Sequence, residues 1–138
     1  MINFNYETAF ELLNEDLFSS WISSVIDQEG FKEGDINYIF CDDDYLHDIN
    51  LKYLNHDTLT DIISFDYSVG KSLHGDIFLS VERVADNAND FGVEFIQELK
   101  RVMIHGVLHY CGYKDKTDDE KALMRQKEDF YINQFSKP

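Results

Sequence analysis

The run His105-Gly106-Val107-Leu108-His109-Tyr110-Cys111-Gly112-Tyr113-Lys114-Asp115 sets two imidazoles one helical turn apart and returns an acidic side chain after a glycine break. On an α-helix a spacing of four puts His105 and His109 on one face, about 6 Å apart along the axis, so a ring nitrogen of each can reach a single ion. Gly112 lets the backbone leave the helix through a left-handed residue, and the stretch from Tyr113 to Asp115 can then fold back toward the histidines. Asp115 is the natural third ligand. Three protein ligands with a fourth position open is how a catalytic zinc, as opposed to a structural one, is held.

A His-x-x-x-His pair is common on helices that bind nothing, so the small Gly106, the helix-ending Gly112 and the acidic residue beyond it are what favour ligation. A zinc protease of the HExxH type carries its glutamate base directly after the first histidine. This chain has Gly106 there, so the helix is zincin-like without the group that makes a zincin a protease. Cys111 follows His109 by two and points off the metal face, so it is not counted as a ligand.

Working outward, the pattern predicts an α+β fold, a small mixed β-sheet packed against helices. Glu94 to Cys111 reads as the central, metal-bearing helix, with Phe95, Leu99, Val102 and Met103 facing the core. Thr117 with Glu120 forms a capping box that opens a last helix. Toward the N-terminus, Ile2 to Tyr6 alternates like a strand, and Asn14 is placed to cap a helix through Leu17, Trp21, Ile22, Val25 and Ile26 to Gly30. Ile36 to Cys41 is rich in strand formers. Asp42-Asp43-Asp44 reads as a helix start, because a calcium loop would need a glycine and a terminal glutamate that are missing. Thr60 to Tyr67 and Gly75 to Val81 read as neighbouring strands, followed by a helix over Arg83 to Phe91 capped by Ser80 and stopped by Gly92. Asp61, Ser64 and Asp76 interrupt apolar strands and are expected to hydrogen-bond strand ends and loops. His74 is placed to approach the metal cleft, whereas His47 and His56 are expected at the surface.

The segment from His105 to Asp115 resembles the signature of the YbeY family of bacterial metal-dependent endoribonucleases, H-G-x-L-H-L-x-G-Y-D-H. Thr60-Asp61-Ile62-Ile63-Ser64-Phe65 is similar to the family's T-[DN]-V-L-S-F strand and Gly75-Asp76-Ile77-Phe78-Leu79-Ser80 to its G-D-I-x-I-S strand, while Met124 with Glu128 fits its terminal helix. The resemblance implies one Zn²⁺ on His105, His109 and Asp115. It also implies a single-strand-specific endoribonuclease that processes the 3′ end of small-subunit (16S) ribosomal RNA and acts in late ribosome maturation and quality control. Its partners would be ribosomal RNA and the small ribosomal subunit. Asp115 stands where the family has its third histidine, Lys114 where it has an aspartate, and Leu54 where many members have an arginine. A carboxylate ligand adds negative charge and opens the site to other divalent metals such as manganese.

At 138 residues, with 43% hydrophobic and 14% aromatic content, residues 1–138 are expected to form one domain. With no long uncharged apolar stretch and no basic-then-apolar leader, the expectation is a cytoplasmic protein without a membrane partner. Cys41 and Cys111 read as free thiols. Against a polyanionic substrate stands the net charge of -15, from 27 acidic and 12 basic side chains. Lys100, Arg101 and Lys114, flanking the metal motif, are the candidate RNA contacts, with Lys71 and Lys116 as further members of a local patch. Glu98, two turns before His105 on nearly the same face, is the candidate partner orienting an imidazole. Two other functions fit the residues: a non-catalytic metal-binding ribosome-assembly factor, and a zincin-like metallohydrolase acting on peptides.

Overall fold

Four strands form one mixed sheet in the order β1-β2-β4-β3. A computed structural model of the chain describes residues 1–55 and 60–135, and His56 lies outside the described residues. Within them the order is β1 (Ile2–Tyr6), α1 (Glu15–Gln28), β2 (Lys32–Cys41), α2 (Asp43–Leu54), β3 (Ile62–Asp66), β4 (Ser72–Ser80), α3 (Val81–Phe91), α4 (Phe95–Tyr110) and α5 (Asp118–Asn133). β1, β2 and β4 are parallel, and β3 pairs antiparallel to β4 with Ile63 opposite Phe78. The expected α+β class is what the chain adopts.

Strand alternation divides the apolar residues between the two faces of the sheet. Ile36, Tyr38 and Phe40 of β2 and Ile77 and Leu79 of β4 are fully buried with α1 and α4, where the Tyr38 hydroxyl donates to the Met103 carbonyl at 2.9 Å. On the other face α2 covers a smaller cluster of Cys41, Leu46 and Ile63 with Phe65 and Phe78. Beyond α2 that face turns polar. Asn3 donates to Asn37 at 2.9 Å and Asn37 donates to Asp76 at 3.0 Å, so Asp76 is held as its place in an apolar strand predicted.

Caps follow the sequence closely at three helices. Asp42 accepts from the Tyr45 N–H, Ser80 from Arg83 N–H, and Thr117 and Glu120 form the reciprocal capping box, while Gly92 ends α3 in a left-handed conformation. Asn14 differs. It occupies the N-cap position of α1 but at φ 60, and its side chain makes no cap hydrogen bond. β2 starts at Lys32, earlier than its apolar residues suggest, because the polar Lys32 and Glu33 pair with Ser72 and Leu73 past an irregularity in the ladder. Burial pattern cannot report a pairing made beyond the core.

Gly75 lets α4 dock on the sheet. A Cβ there would run into the Tyr110 hydroxyl and the Phe65 carbonyl oxygen, and that hydroxyl donates to Phe65 O at 2.9 Å. The contact fixes the C-terminal end of α4 over β3 and β4, next to the metal motif.

Candidate metal centre

The end of α4 is shaped by its glycines. A Cβ on Gly106 would lie 3.0 Å from Ile77 Cδ1 and 3.1 Å from Ile62 Cδ1, so glycine allows the helix to sit close on the sheet. Gly112 adopts φ 100. Its N–H donates to His109 O at 3.0 Å and the Tyr113 N–H donates to Leu108 O at 3.1 Å, the paired bonds of a Schellman ending. The chain thereby reverses and carries Asp115 back to the histidines.

Hydrogen bonds at the outer nitrogens fix which nitrogen of each ring points inward. His109 Nδ1 lies 2.9 Å from the Tyr113 carbonyl, which only accepts, so Nδ1 carries the proton and Nε2 offers a lone pair. His105 Nδ1 lies 2.7 Å from Glu128 Oε2, which sets the same tautomer. Burial disfavours charge on His105, but the hydrogen bond and charge of Glu128 outweigh it and raise the imidazole's pKa. The two Nε2 atoms are 2.9 Å apart, and Asp115 Oδ2 is 3.2 Å from one and 3.4 Å from the other. Three acceptors facing one another repel unless a cation lies among them. Ligands about 2.0–2.2 Å from a tetrahedral ion sit roughly 3.3–3.6 Å from each other. The triangle therefore has nearly the size and the donor chemistry of one face around a single small divalent ion, and among the described residues it is the one such group.

The triad opens into a cavity of about 450 Å³ between β3, α4 and α5, bordered by Thr60, Asp61, Ser64, Glu98, Arg101 and Arg125. Asp61 and Glu98 are both raised in pKa, chiefly by burial, and the charge of Asp61 adds to the effect on Glu98. The carboxylate that orients an imidazole is Glu128 and not Glu98, which has no hydrogen bond to either ring. Glu128 is 4% exposed and also accepts from Arg101 Nη1 at 2.9 Å, while Arg101 Nη2 donates to Asp129 at 2.7 Å. The sequence did hold a signal for it. Met124, Glu128, Tyr131 and Ile132 form the buried stripe of α5, and a carboxylate within such a stripe needs a partner.

A family model described as Endoribonuclease YbeY matches residues 2–136. The chain belongs to the YbeY family. It is 67% identical to the Endoribonuclease YbeY of Flavobacterium johnsoniae over 98% of this chain and 97% of that protein. The Flavobacterium psychrophilum protein of the same name is 64% identical over 98% and 96% of the two chains. The solution structure of TM1509 from Thermotoga maritima superposes with a TM-score of 0.73 at 27% identity, covering 98% of this chain and 89% of that one.

Against the YbeY motif, the Asp115 carboxylate reaches the point where the family's third histidine is expected. Leu54 ends α2 and does not border the cavity; the cationic groups that do are Arg101 and Arg125. Of the other basic residues flanking the motif, Lys100 lies over the Phe135 ring at 3.9 Å, beside a separate apolar groove, and Lys114 is exposed outside the cavity. His74 does not approach the cleft. It lies on the polar face of the sheet and its Nδ1 accepts from the Asp35 N–H at 3.1 Å, because β4 alternation sends residues 74, 76 and 78 away from α4. His47 is half-buried on α2.

The YbeY loop that carries Asp115 is tied down from behind. The Tyr113 hydroxyl donates to Glu29 Oε1 at 2.7 Å, and Glu29 also accepts from the Tyr131 hydroxyl and from Lys127 at 3.4 Å. Burial acts to raise the Glu29 pKa, yet the bonds from Tyr131, Tyr113 and Lys127 bring it below the ordinary value. One carboxylate thus joins α1 to α5 and to the residue whose carbonyl orients His109.

Proposed function

We propose that this chain is a single-strand-specific endoribonuclease that processes the 3′ end of small-subunit (16S) ribosomal RNA and acts in late ribosome maturation in the cytoplasm. Its site is a single divalent ion, zinc by donor chemistry, on His105, His109 and Asp115. The observation that carries this reading is the convergence of three lone-pair atoms within 3.4 Å of one another at the mouth of a polar cavity, in a member of the YbeY family. When bound, the ion would supply Lewis-acid polarisation of a phosphate oxygen and acidify a water molecule.

The chain's own residues supply the rest. Glu128 and the Tyr113 carbonyl hold the two rings with Nε2 inward. Arg101, spread across Glu128 and Asp129, keeps Glu128 in place. Arg125, with 59% of its side chain exposed, is free to approach a phosphate and offset charge developing on it. Gly106 argues against a peptide hydrolase of the HExxH type: the space beside it is filled by Ile62 and Ile77, so a glutamate base has no room there.

The net charge of -15 favours a second reading, a metal-binding assembly factor that does not cut RNA. Purified protein separates the two. Cleavage of single-stranded ribosomal RNA precursor, lost on chelation and in His109→Ala and restored to wild type by one added divalent metal, is the expected result. Bound stoichiometric metal with no cleavage supports the assembly factor, and equal cleavage by wild type and His109→Ala refutes the site.

A further inference from the structure

We propose that the face of α5 carrying Lys121 and Arg125 is a subsite for the sugar-phosphate backbone on one side of the scissile phosphate. This rests on the triad being the point of cleavage. Two cavities meet there. The first is the polar one under β3; the second, of about 480 Å³, continues from His105 and Asp115 across Lys121, Met124 and Arg125. His105, Asp115, Arg125 and Glu128 border both. A strand with its reacting phosphate over the triad therefore has one neighbouring nucleotide under β3 and the other along α5.

Charge distinguishes this path from the rest of an acidic surface. Arg101 is engaged by Glu128 and Asp129, and Lys127 by Glu29, while Lys100 lies over Phe135. Lys121 is exposed and makes no ion pair among the described residues. Arg125 finds only Glu128, at 3.9 Å, and that carboxylate already accepts from Arg101 and His105. A spacing of four places the two cations on one side of the helix about 6 Å apart along its axis, so their positive charges add, with Arg125 only partly offset by a carboxylate it shares with two other donors. That separation is of the order of the distance between successive phosphates along a strand, so a polyanion laid on α5 meets both. The long-range field of the protein opposes RNA, and this short-range pair supplies contact where the strand must be held.

The test is binding and cleavage of a fluorescently labelled single-stranded ribosomal RNA fragment by Zn²⁺-loaded protein across a salt series. The chains compared are wild type, the Lys121→Gln/Arg125→Gln double variant, and Lys100→Gln. Each phosphate contact on a single strand contributes about 0.7 to the slope of log affinity against log salt, so the double variant should be shallower by about 1.4. Its KM should rise and its kcat fall, because Arg125 also faces the reacting phosphate, while Zn²⁺ affinity holds, and Lys100→Gln should match wild type in all three. An unchanged slope in the double variant overturns the subsite, as does an equal loss in Lys100→Gln. Wild-type protein that binds Zn²⁺ yet neither holds nor cuts RNA overturns the functional reading and the subsite with it.

Discussion

Glu128→Gln isolates the charge that orients His105, because glutamine keeps the shape of the side chain and removes one of its two acceptors. In the native protein Oε2 takes the His105 Nδ1 proton at 2.7 Å and Oε1 takes Arg101 Nη1 at 2.9 Å. A glutamine amide can serve only one of them and turns an NH₂ toward the other, donor against donor. Hydrogen bonds to charged groups contribute about 1.5–3 kcal/mol, and groups that orient metal-bound imidazoles are worth roughly 10–100-fold in metal affinity. The two ranges agree, since that fold-change is about 1.4–2.7 kcal/mol. The dissociation constant for Zn²⁺, measured by competition with a chromophoric chelator at neutral pH, should therefore rise about 10–100-fold, with a parallel change in the visible spectrum of the Co²⁺ form. Glu98→Gln, which removes a carboxylate from the same cavity without touching either ring, should leave both unchanged. Wild-type affinity in a folded Glu128→Gln protein, or an equal loss in Glu98→Gln, would refute the reasoning.

Tyr113→Phe cuts the tether from Glu29 to the metal loop while leaving the Tyr131 and Lys127 bonds intact, and should weaken Zn²⁺ binding about tenfold with little change in the melting temperature of the metal-free protein. Gly75→Ala forces a methyl group against Tyr110 and the Phe65 carbonyl, and urea denaturation should show a loss of about 3 kcal/mol or more. Asp61 is raised in pKa mainly by burial, so its contribution to stability is full below the ordinary aspartate value of 3.8 and is lost as pH rises through its folded value. Metal-free Asp61→Asn, which never ionises, should melt above wild type at neutral pH and converge with it near about pH 4; a constant difference at both pH values would point to packing alone.

Local chemistry was enough for much of this chain. Period-two and period-3.6 patterning, the caps at Asp42, Ser80 and Thr117, and the stop at Gly92 act within a few residues, so they place the elements and the α+β class directly. The metal motif is largely local too: a helix spacing of four and a glycine exit bring His105, His109 and Asp115 together, although the loop that carries Asp115 is held from α1 through Glu29. Other features depend on residues far apart in sequence. Packing of α4 on the face of β4 that carries Gly75 and Ile77 leaves His74 on the other face, away from the cleft, and only the docking of α5 on α4 makes Glu128, rather than Glu98, the partner of His105. The same docking engages Arg101, exposes Arg125 and Lys121 beside the triad, and leaves Lys100 over Phe135. Which charges are spent and which are available is set by distances between elements, and those follow from packing, not from spacing along the chain.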